Sequence, residues 1–475
     1  MRASTYAQLS FADIELRDLP LRDGVLEKVA HLLSLCLDIL PLVQADLQRN
    51  LKAKKTGRPG MTAEQVLRSF ILKSVKNWDL RELSERIADG FSLRRFAAFF
   101  WDHVPGHDAF ARAFRCLTDE TVRLINEKVI TAAIRLEVES GAALRVDSTV
   151  VETDIHFPTD ATLLWDSVRT LTRLVGQLRR FCPAAAKTFR NRTRCAKRRM
   201  TEIQRLSARE REQQQVPKYR ELITVTRTVT AQARKAARRA RKLCDQMPVV
   251  QSQKVLGLLR EITEHMDLAD RVIDQAARRV LRGEKVPTAE KIYSIFEPHT
   301  DLIVRGKARK PAEFGHKIFL AETAAGLVTQ YRVLDGNPGD EAHLSGSLDH
   351  HIRQFGKAPL LYAADRGFYS APNLEVCQKA GVTTVSIPYR GGKRSPERKV
   401  IEHSADFRRG QRFRAGVEGR ISVLLRGRGM RRCLAEGRPA FEVFLGVVVL
   451  ANNLLVLAQH LLQKAKAVKK RPRAA

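Results

Sequence analysis

The chain has 475 residues, 84 Lys and Arg against 52 Asp and Glu, a formal net charge of +32, and 44% hydrophobic residues. That apolar content excludes an unfolded polyelectrolyte and is enough for two or three domains with a large core. The charge points to a polyanion partner, because each phosphate neutralised by Lys or Arg releases condensed counterions, although basicity alone leaves DNA, RNA and an anionic membrane surface open.

In chain order, Met1 to Tyr6 lack the apolar core of a secretory signal. Leu26 to Leu47 is dense enough in apolar residues to read as helix, and Lys52 to Arg58 is a basic turn broken by Gly57, Pro59 and Gly60. Thr62-Ala63-Glu64-Gln65 is a capping box opening a helix whose Val66, Phe70 and Ile71 share a face. Asp79, Ser92 and Asp108 read as caps of further short helices, and Asp119 to about Glu139 as a longer one. Residues 1–140 therefore form an all-helical module, for which DNA docking and dimerisation are both open. Arg81, Arg86, Arg94 and Arg95 suit phosphate contacts or an ordinary solvated face equally.

Leu144 to Val151 follows the break at Gly141 and reads as a buried strand carrying one carboxylate, Asp147. From Asp160 to Gly283 strand signals vanish. Ala, Arg, Lys, Gln and Glu favour long helices there, which Pro217 and Pro248 divide into about three. Arg194, Lys197, Arg198 and Arg199 make this segment a candidate arm gripping phosphates without reading bases, with a solvated charged bundle as the alternative. Strand-like runs resume at Ile292–Phe296, Lys317–Ala321 and Val328–Leu334, the last two forming a hairpin at Gly326. Asp340 reads as a helix cap.

Leu360 to Ala364 is a second apolar run ending in a carboxylate, Asp365, and closed by Gly367. After the strand Thr383–Ile387 comes a Gly-rich basic loop with Lys393 and Arg394, in which glycines let backbone approach a phosphate. A third carboxylate, Glu418, lies on a helix set by the spacing of Val417, Ile421, Leu424 and Leu425, one turn after Arg414. Phe441 to Leu462 is apolar enough for a membrane, but Glu442 and Asn452-Asn453 favour a buried helix. Lys464 to Arg473 reads as a disordered cationic tail.

Two strand-borne aspartates and a helix-borne glutamate are an oxygen-donor set for two Mg²⁺ ions, for which Mn²⁺ can substitute, and such a pair serves phosphodiester displacement. Asp335 is the rival second aspartate; Asp365 is preferred because it ends an apolar run. The cysteines, Cys36, Cys116, Cys182, Cys195, Cys244, Cys377 and Cys433, contain no C-x-x-C pair, and the histidines give no metal set.

Val146-Asp147-Ser148-Thr149, His156-Phe157-Pro158-Thr159-Asp160, Glu313-Phe314-Gly315-His316-Lys317, Ala364-Asp365-Arg366-Gly367-Phe368-Tyr369 and Arg414-x-x-x-Glu418, in that order, resemble the DDE transposases of bacterial insertion sequences, close to the ISNCY group. The resemblance implies an α/β fold: a ribonuclease-H-like domain, a mixed sheet flanked by helices, over 141–159 and 284–462. A helical insertion over 160–283 lies between the first two catalytic strands, and a tail over 463–475 follows. It also implies Asp147, Asp365 and Glu418 as catalytic triad and metal ligands. Where relatives carry a DNA-contacting lysine two turns after the glutamate, this chain has Leu425 followed by Arg426. Arg414, Arg420 and Arg426 join Lys393 and Arg394 as candidate DNA contacts. The expected activity is cleavage at terminal inverted repeats of double-stranded DNA and joining of the 3′-hydroxyl ends to target DNA. It would be performed by a homodimer on DNA in the bacterial cytoplasm, away from membranes. A ribonuclease-H-like nuclease without strand transfer and an inactive DNA-binding derivative are the alternatives.

Overall fold

The computed structural model describes residues 21, 23–35, 37–49, 51, 60–304 and 312–470. The basic turn Lys52–Arg58 and the end of the cationic tail, 471–475, lie outside the described residues. Two compact units divide the chain, Met1–Thr153 with Gly315–Ala475, and Asp154–Phe314.

The first unit begins with helices α1 (Gly24–Leu35), α2 (Leu40–Gln48), α3 (Ala63–Lys76), α4 (Leu80–Asp89), α5 (Phe91–Phe96), α6 (His107–Phe114) and α7 (Asp119–Arg135). The single helix expected over 26–47 is interrupted by a 3₁₀ turn, Leu37–Ile39, and restarts with Pro41 in its first turn, where a missing N–H costs nothing. The Thr62 box forms as expected: Thr62 Oγ1 accepts from the Gln65 N–H and Gln65 Oε1 from the Thr62 N–H. Asp79 caps α4 by accepting from the N–H groups of Arg81 and Glu82. Ser92 and Asp108 are not caps, because α5 and α6 start one residue before each of them, behind Gly90 and Gly106. Gly90 both ends α4 and starts α5, and a side chain there would meet the Arg86 carbonyl at 2.7 Å. Strand β1 (Ala143–Thr153) follows α7.

The second unit is a helical bundle of α8 (Asp160–Phe181), α9 (Thr193–Arg205), α10 (Ala208–Leu243) and α11 (Val249–Ala276), closed over a core that includes Leu171, Leu222, Val229 and Ile262. Pro217 does not divide it. The proline sits inside α10, on a partly exposed stretch where water can solvate the carbonyl it orphans. The break comes at Leu206, and Ser207 opens α10 with a second capping box. Ile292–Ile295 is buried and Phe296 exposed, and the run is not a strand, since its backbone is bonded by side chains: Gln275 receives the Ile292 N–H at 2.8 Å and donates to its carbonyl, and Ser294 Oγ turns the chain at Phe296 and Glu297. A short strand, β2 (Asp301–Val304), ends the described part of this stretch.

The chain then returns through β3 (Ala312–Thr323), β4 (Val328–Val333), α12 (Leu344–Phe355), β5 (Leu361–Ala363), α13 (Ala371–Lys379), β6 (Thr384–Ser386), α14 (Pro396–His403), α15 (Ala405–Ser422), β7 (Arg432–Cys433) and α16 (Arg438–Lys470). The hairpin of β3 and β4 turns at Gly326, whose φ of +82° suits glycine. β1 runs antiparallel to β3 and parallel to β5, which is parallel to β6, so the sheet is mixed. Helix α15 packs on β1, β5 and β6, and α16 on β4 and on α1, α3 and α7.

Among the described residues α16 is the one helix long and apolar enough to cross a membrane, and 83% of its most apolar window is buried in the protein. Its asparagines explain themselves here. Asn453 exchanges hydrogen bonds with both backbone groups of Val328 at the start of β4 and donates to Asn126 on α7. The helix continues to Lys470, past the expected start of the tail.

Ahead of β1, Gly141 adopts φ +69°, and a side chain on it would strike the Phe355 ring at 2.5 Å. His351 stacks on that ring and bonds the Gly141 carbonyl at 3.0 Å, fixing where β1 begins. Burial pushes the His351 imidazole down to about 4, so the folded protein holds it neutral while the unfolded chain takes up a proton below about 6.5. Its stabilising contribution is full above pH 6.5 and falls by about 1.4 kcal/mol per pH unit toward pH 4. Denaturant midpoints at pH 7 and pH 5 should therefore differ less in His351→Gln than in the parent.

Candidate active site

Asp147 and Asp365 are placed by strand register. Ala143, Leu144 and Arg145 of β1 pair in parallel with Leu361, Tyr362 and Ala363 of β5. Two further steps along both chains bring Asp147 level with Asp365, whose backbone is still extended (φ −77°, ψ 175°). Adjacent strands lie about 4.8 Å apart, so the two carboxylates leave neighbouring strands at the same height. Asp147 is largely buried, and its Oδ1 accepts from the Ser148 N–H at 2.7 Å. Asp365 caps the 3₁₀ turn Arg366–Phe368 by accepting from the Gly367 N–H at 2.7 Å.

The glycine has a second consequence. A Cβ on Gly367 would lie 2.9 Å from Asp365 Oδ1 and 3.2 Å from Asp340 Oδ2, so its absence lets a further carboxylate approach. Asp340 is therefore not the helix cap expected. Gly339 holds that position, and Asp340 pairs with Lys317 of β3 at 2.9 Å. Asp335, the rival second aspartate, is 95% exposed and paired with Arg438.

Helix α15, which carries Glu418, packs on the sheet, and its glycines permit the approach, while the Glu418 side chain is 67% exposed. A Cβ on Gly410 would lie 2.4 Å from the Ser386 Cβ on β6, and one on Gly416 would lie 2.1 Å from Arg145 Nη1 on β1. Arg414 links the helix to Asp147. Its guanidinium donates to Glu418 Oε1 at 3.0 Å and to Asp147 Oδ2 at 3.4 Å. Among the described residues no group of three His, Cys, Asp or Glu is close enough to hold a metal. The positive charge between Asp147 and Glu418 is that of Arg414.

Behind the site lies a network that the sequence reading missed. Glu322 of β3 is fully buried and lies between two arginines, Arg145 Nε at 2.7 Å from Oε2 and Arg420 Nε at 2.8 Å from Oε1. Arg145 also donates to the Phe413 carbonyl at 2.7 Å, and Arg420 to Asn452 of α16 at 3.2 Å. This ties β1, β3, α15 and α16 together one turn from Glu418. It also removes Arg420 from the candidate DNA contacts, because its guanidinium is spent on a buried carboxylate. Arg145, two residues before Asp147 on the same strand face, was the legible half of this network.

The other expected cations are divided. Arg426 is exposed; Arg394 is half-exposed and pairs with Glu402, while Lys393 is exposed on the loop. In the second unit Arg199 is drawn inward by Glu202 and Glu221, which holds its pKa up, so it braces α9 against α10 and leaves the DNA-contact set. Arg194, Lys197 and Arg198 remain on an open groove together with Arg190 and Arg192.

Two aspartates level on paired parallel strands, one within β1 and one just past β5, with a glutamate on the helix packed against those strands, are oxygen donors of the kind that serves phosphoryl transfer. Residues 301–454 match the family described as Transposase DDE domain, and residues 20–116 match the Transposase domain (DUF772). No curated protein and no solved structure matches the chain. The chain belongs to the DDE transposases and is a DDE-type transposase enzyme, which implies a ribonuclease-H-like fold, DNA binding and dependence on a divalent metal. The DDE match includes Asp365 and Glu418 and begins after Asp147, which the β1–β5 register sets level with Asp365.

Proposed function

We propose that this is the transposase of an ISNCY-like insertion sequence, which cleaves phosphodiester bonds at the element's terminal inverted repeats and joins the freed 3′-hydroxyl ends to target DNA. The observation that carries this reading is the common level of Asp147 on β1 and Asp365 just past β5, with Glu418 linked to Asp147 through Arg414. Asp147, Asp365 and Glu418 are the residues that would hold the metal. They supply only oxygen donors, as a hard cation requires, and a cationic group already lies between two of them. When bound, two Mg²⁺ ions activate the attacking hydroxyl and stabilise the leaving oxygen. Arg414 gives up at least one carboxylate as the site loads and is then free to hold a phosphate of the substrate strand. Lys393, Arg394 and Arg426 add backbone contacts. The module of residues 1–140, whose described part is helical, acts in end binding or dimerisation, the protein works as a dimer on DNA because two ends are handled together, and it does so in the cytoplasm.

The test is divalent-dependent cleavage and joining of a labelled duplex carrying the element's terminal repeat, with wild type beside Glu418→Gln. Loss of both products with retained DNA binding supports the reading. Cleavage without joining by wild type would favour a nuclease, and binding without cleavage a DNA-binding derivative.

The second unit is proposed as a phosphate clamp, with 160–283 as the insertion within the catalytic domain. Neutralising Arg194, Lys197 and Arg198 together should reduce the magnitude of the slope of log K against log salt by about 2 to 3, near 0.9 for each lost phosphate contact. Anisotropy titrations at several salt concentrations measure this, and an unchanged slope would leave the unit a solvated bundle.

A further inference from the structure

Within the first unit a cavity of about 570 Å³ opens between α3, α4 and α6 on one side and the segment from Arg428 to Phe444 on the other. That volume is in the range of small-molecule sites. Its walls are partly aromatic, with Trp78 and Phe114 only partly buried by the core they pack on. Its cations have few partners. The Lys73 ammonium is buried enough for its pKa to fall, and it makes no hydrogen bond or ion pair among the described residues. Arg428 spends Nη1 on the carbonyls of Val75 and Gly427, while its Nε is buried with no acceptor, and no carboxylate offsets its desolvation. The carboxylates on the lining form no ion pair with them, although Asp79 attracts the Lys73 ammonium and partly offsets its burial. Asp79 is engaged in capping α4, and Glu436 is 84% exposed at the rim beside Arg115.

A flat apolar wall beside two under-partnered cations suits a ligand with an aromatic face and an anionic group. We propose that this cavity binds one nucleotide, its base against Trp78 and its phosphate on Lys73 and Arg428. The two sources of that chemistry are an unpaired nucleotide of a DNA strand and a free nucleotide. The first deepens the transposase reading, because a strand end separated from its duplex would then be held by the same unit as Asp147, Asp365 and Glu418. Base stacking on an aromatic side chain tolerates any sequence, so the site would hold a nucleotide without specifying it.

The experiment uses the full chain without divalent metal, so its result does not depend on catalysis. The chain has three tryptophans, and Trp101→Phe with Trp165→Phe leaves Trp78 as sole reporter. Thymidine 5′-monophosphate, thymidine, inorganic phosphate, a blunt duplex and a duplex with a two-nucleotide overhang are titrated against its fluorescence. Saturable quenching by the mononucleotide or the overhang duplex is expected, stronger than by thymidine, phosphate or blunt duplex. Lys73→Met should weaken it about tenfold, and Lys73→Arg should restore it. Quenching by the overhang duplex at much lower concentration than by the mononucleotide identifies a strand nucleotide; the reverse identifies a free one. No preferential quenching by either, or equal affinity in a Lys73→Met protein whose circular dichroism and melting are unchanged, would overturn the proposal. Cleavage by the wild type would then still stand.

Discussion

Asp365→Asn is expected to retain DNA binding while strand cleavage falls roughly a thousandfold, about 4 kcal/mol of transition-state stabilisation at 1.36 kcal/mol per decade. The substitution is nearly isosteric. An asparagine Oδ1 still accepts from the Gly367 N–H, so the turn Arg366–Phe368 keeps its cap and Phe368 its place in the core. What is lost is one negative charge at the level of Asp147. Asp335→Asn supplies the control, because Asp335 sits exposed against Arg438 and its loss should leave cleavage within about twofold of wild type. Single-turnover cleavage of labelled terminal-repeat duplex, with anisotropy as the binding readout, separates the two. An active Asp365→Asn protein, or an inactive Asp335→Asn one, would sink the assignment.

The contrast between those aspartates shows what the sequence made legible. An apolar β-branched run marks a strand because alternate or continuous burial is a local property, so β1, the β3–β4 hairpin and the chain leading to Asp365 could be read directly. Register is not local, yet the offset that pairs Arg145 with Ala363 is also the offset between the two aspartates, so choosing the right aspartate amounted to choosing the register. The misreadings share another cause. Ile292–Phe296 has a strand's composition, but Gln275 and Ser294 satisfy its backbone. Pro217 has a breaker's identity, but its helix is partly exposed where the bond is missing. Arg199 and Arg420 have the charge of DNA contacts, but Glu202, Glu221 and Glu322 claim them. Gln275, Glu221 and Glu322 are partners distant in sequence, and the exposure at Pro217 is set by the fold. Glu322 was hidden the same way, as a carboxylate just past the strand-like run Lys317–Ala321.

The largest stability effect is expected at that residue. Glu322 has no exposed side-chain surface, and its arginine partners keep only 13% and 18% of theirs. Glu322→Ala would leave two guanidinium groups in a poorly hydrated site without their shared counterion. Removing one member of such a buried set costs about 3 to 5 kcal/mol, against at most about 1 kcal/mol for an exposed pair such as Arg86 with Glu82. Urea denaturation monitored by circular dichroism should show that loss as a lower midpoint. Replacing all three charges, as Arg145→Met, Glu322→Leu and Arg420→Met, should recover most of the stability, since apolar side chains of similar volume often substitute for buried ion pairs without penalty. Activity should not recover with it. Arg145 also lies over the Phe413 ring at 4.7 Å and bonds its carbonyl, while Arg420 reaches Asn452, so the charged set fixes how α15 lies on β1. An apolar replacement fills the space without fixing that register, and Glu418 rides on the same helix. A triple variant that is stable and fully active would show that packing alone positions Glu418; a Glu322→Ala protein within 1 kcal/mol of wild type would show that the network carries little of the fold's stability.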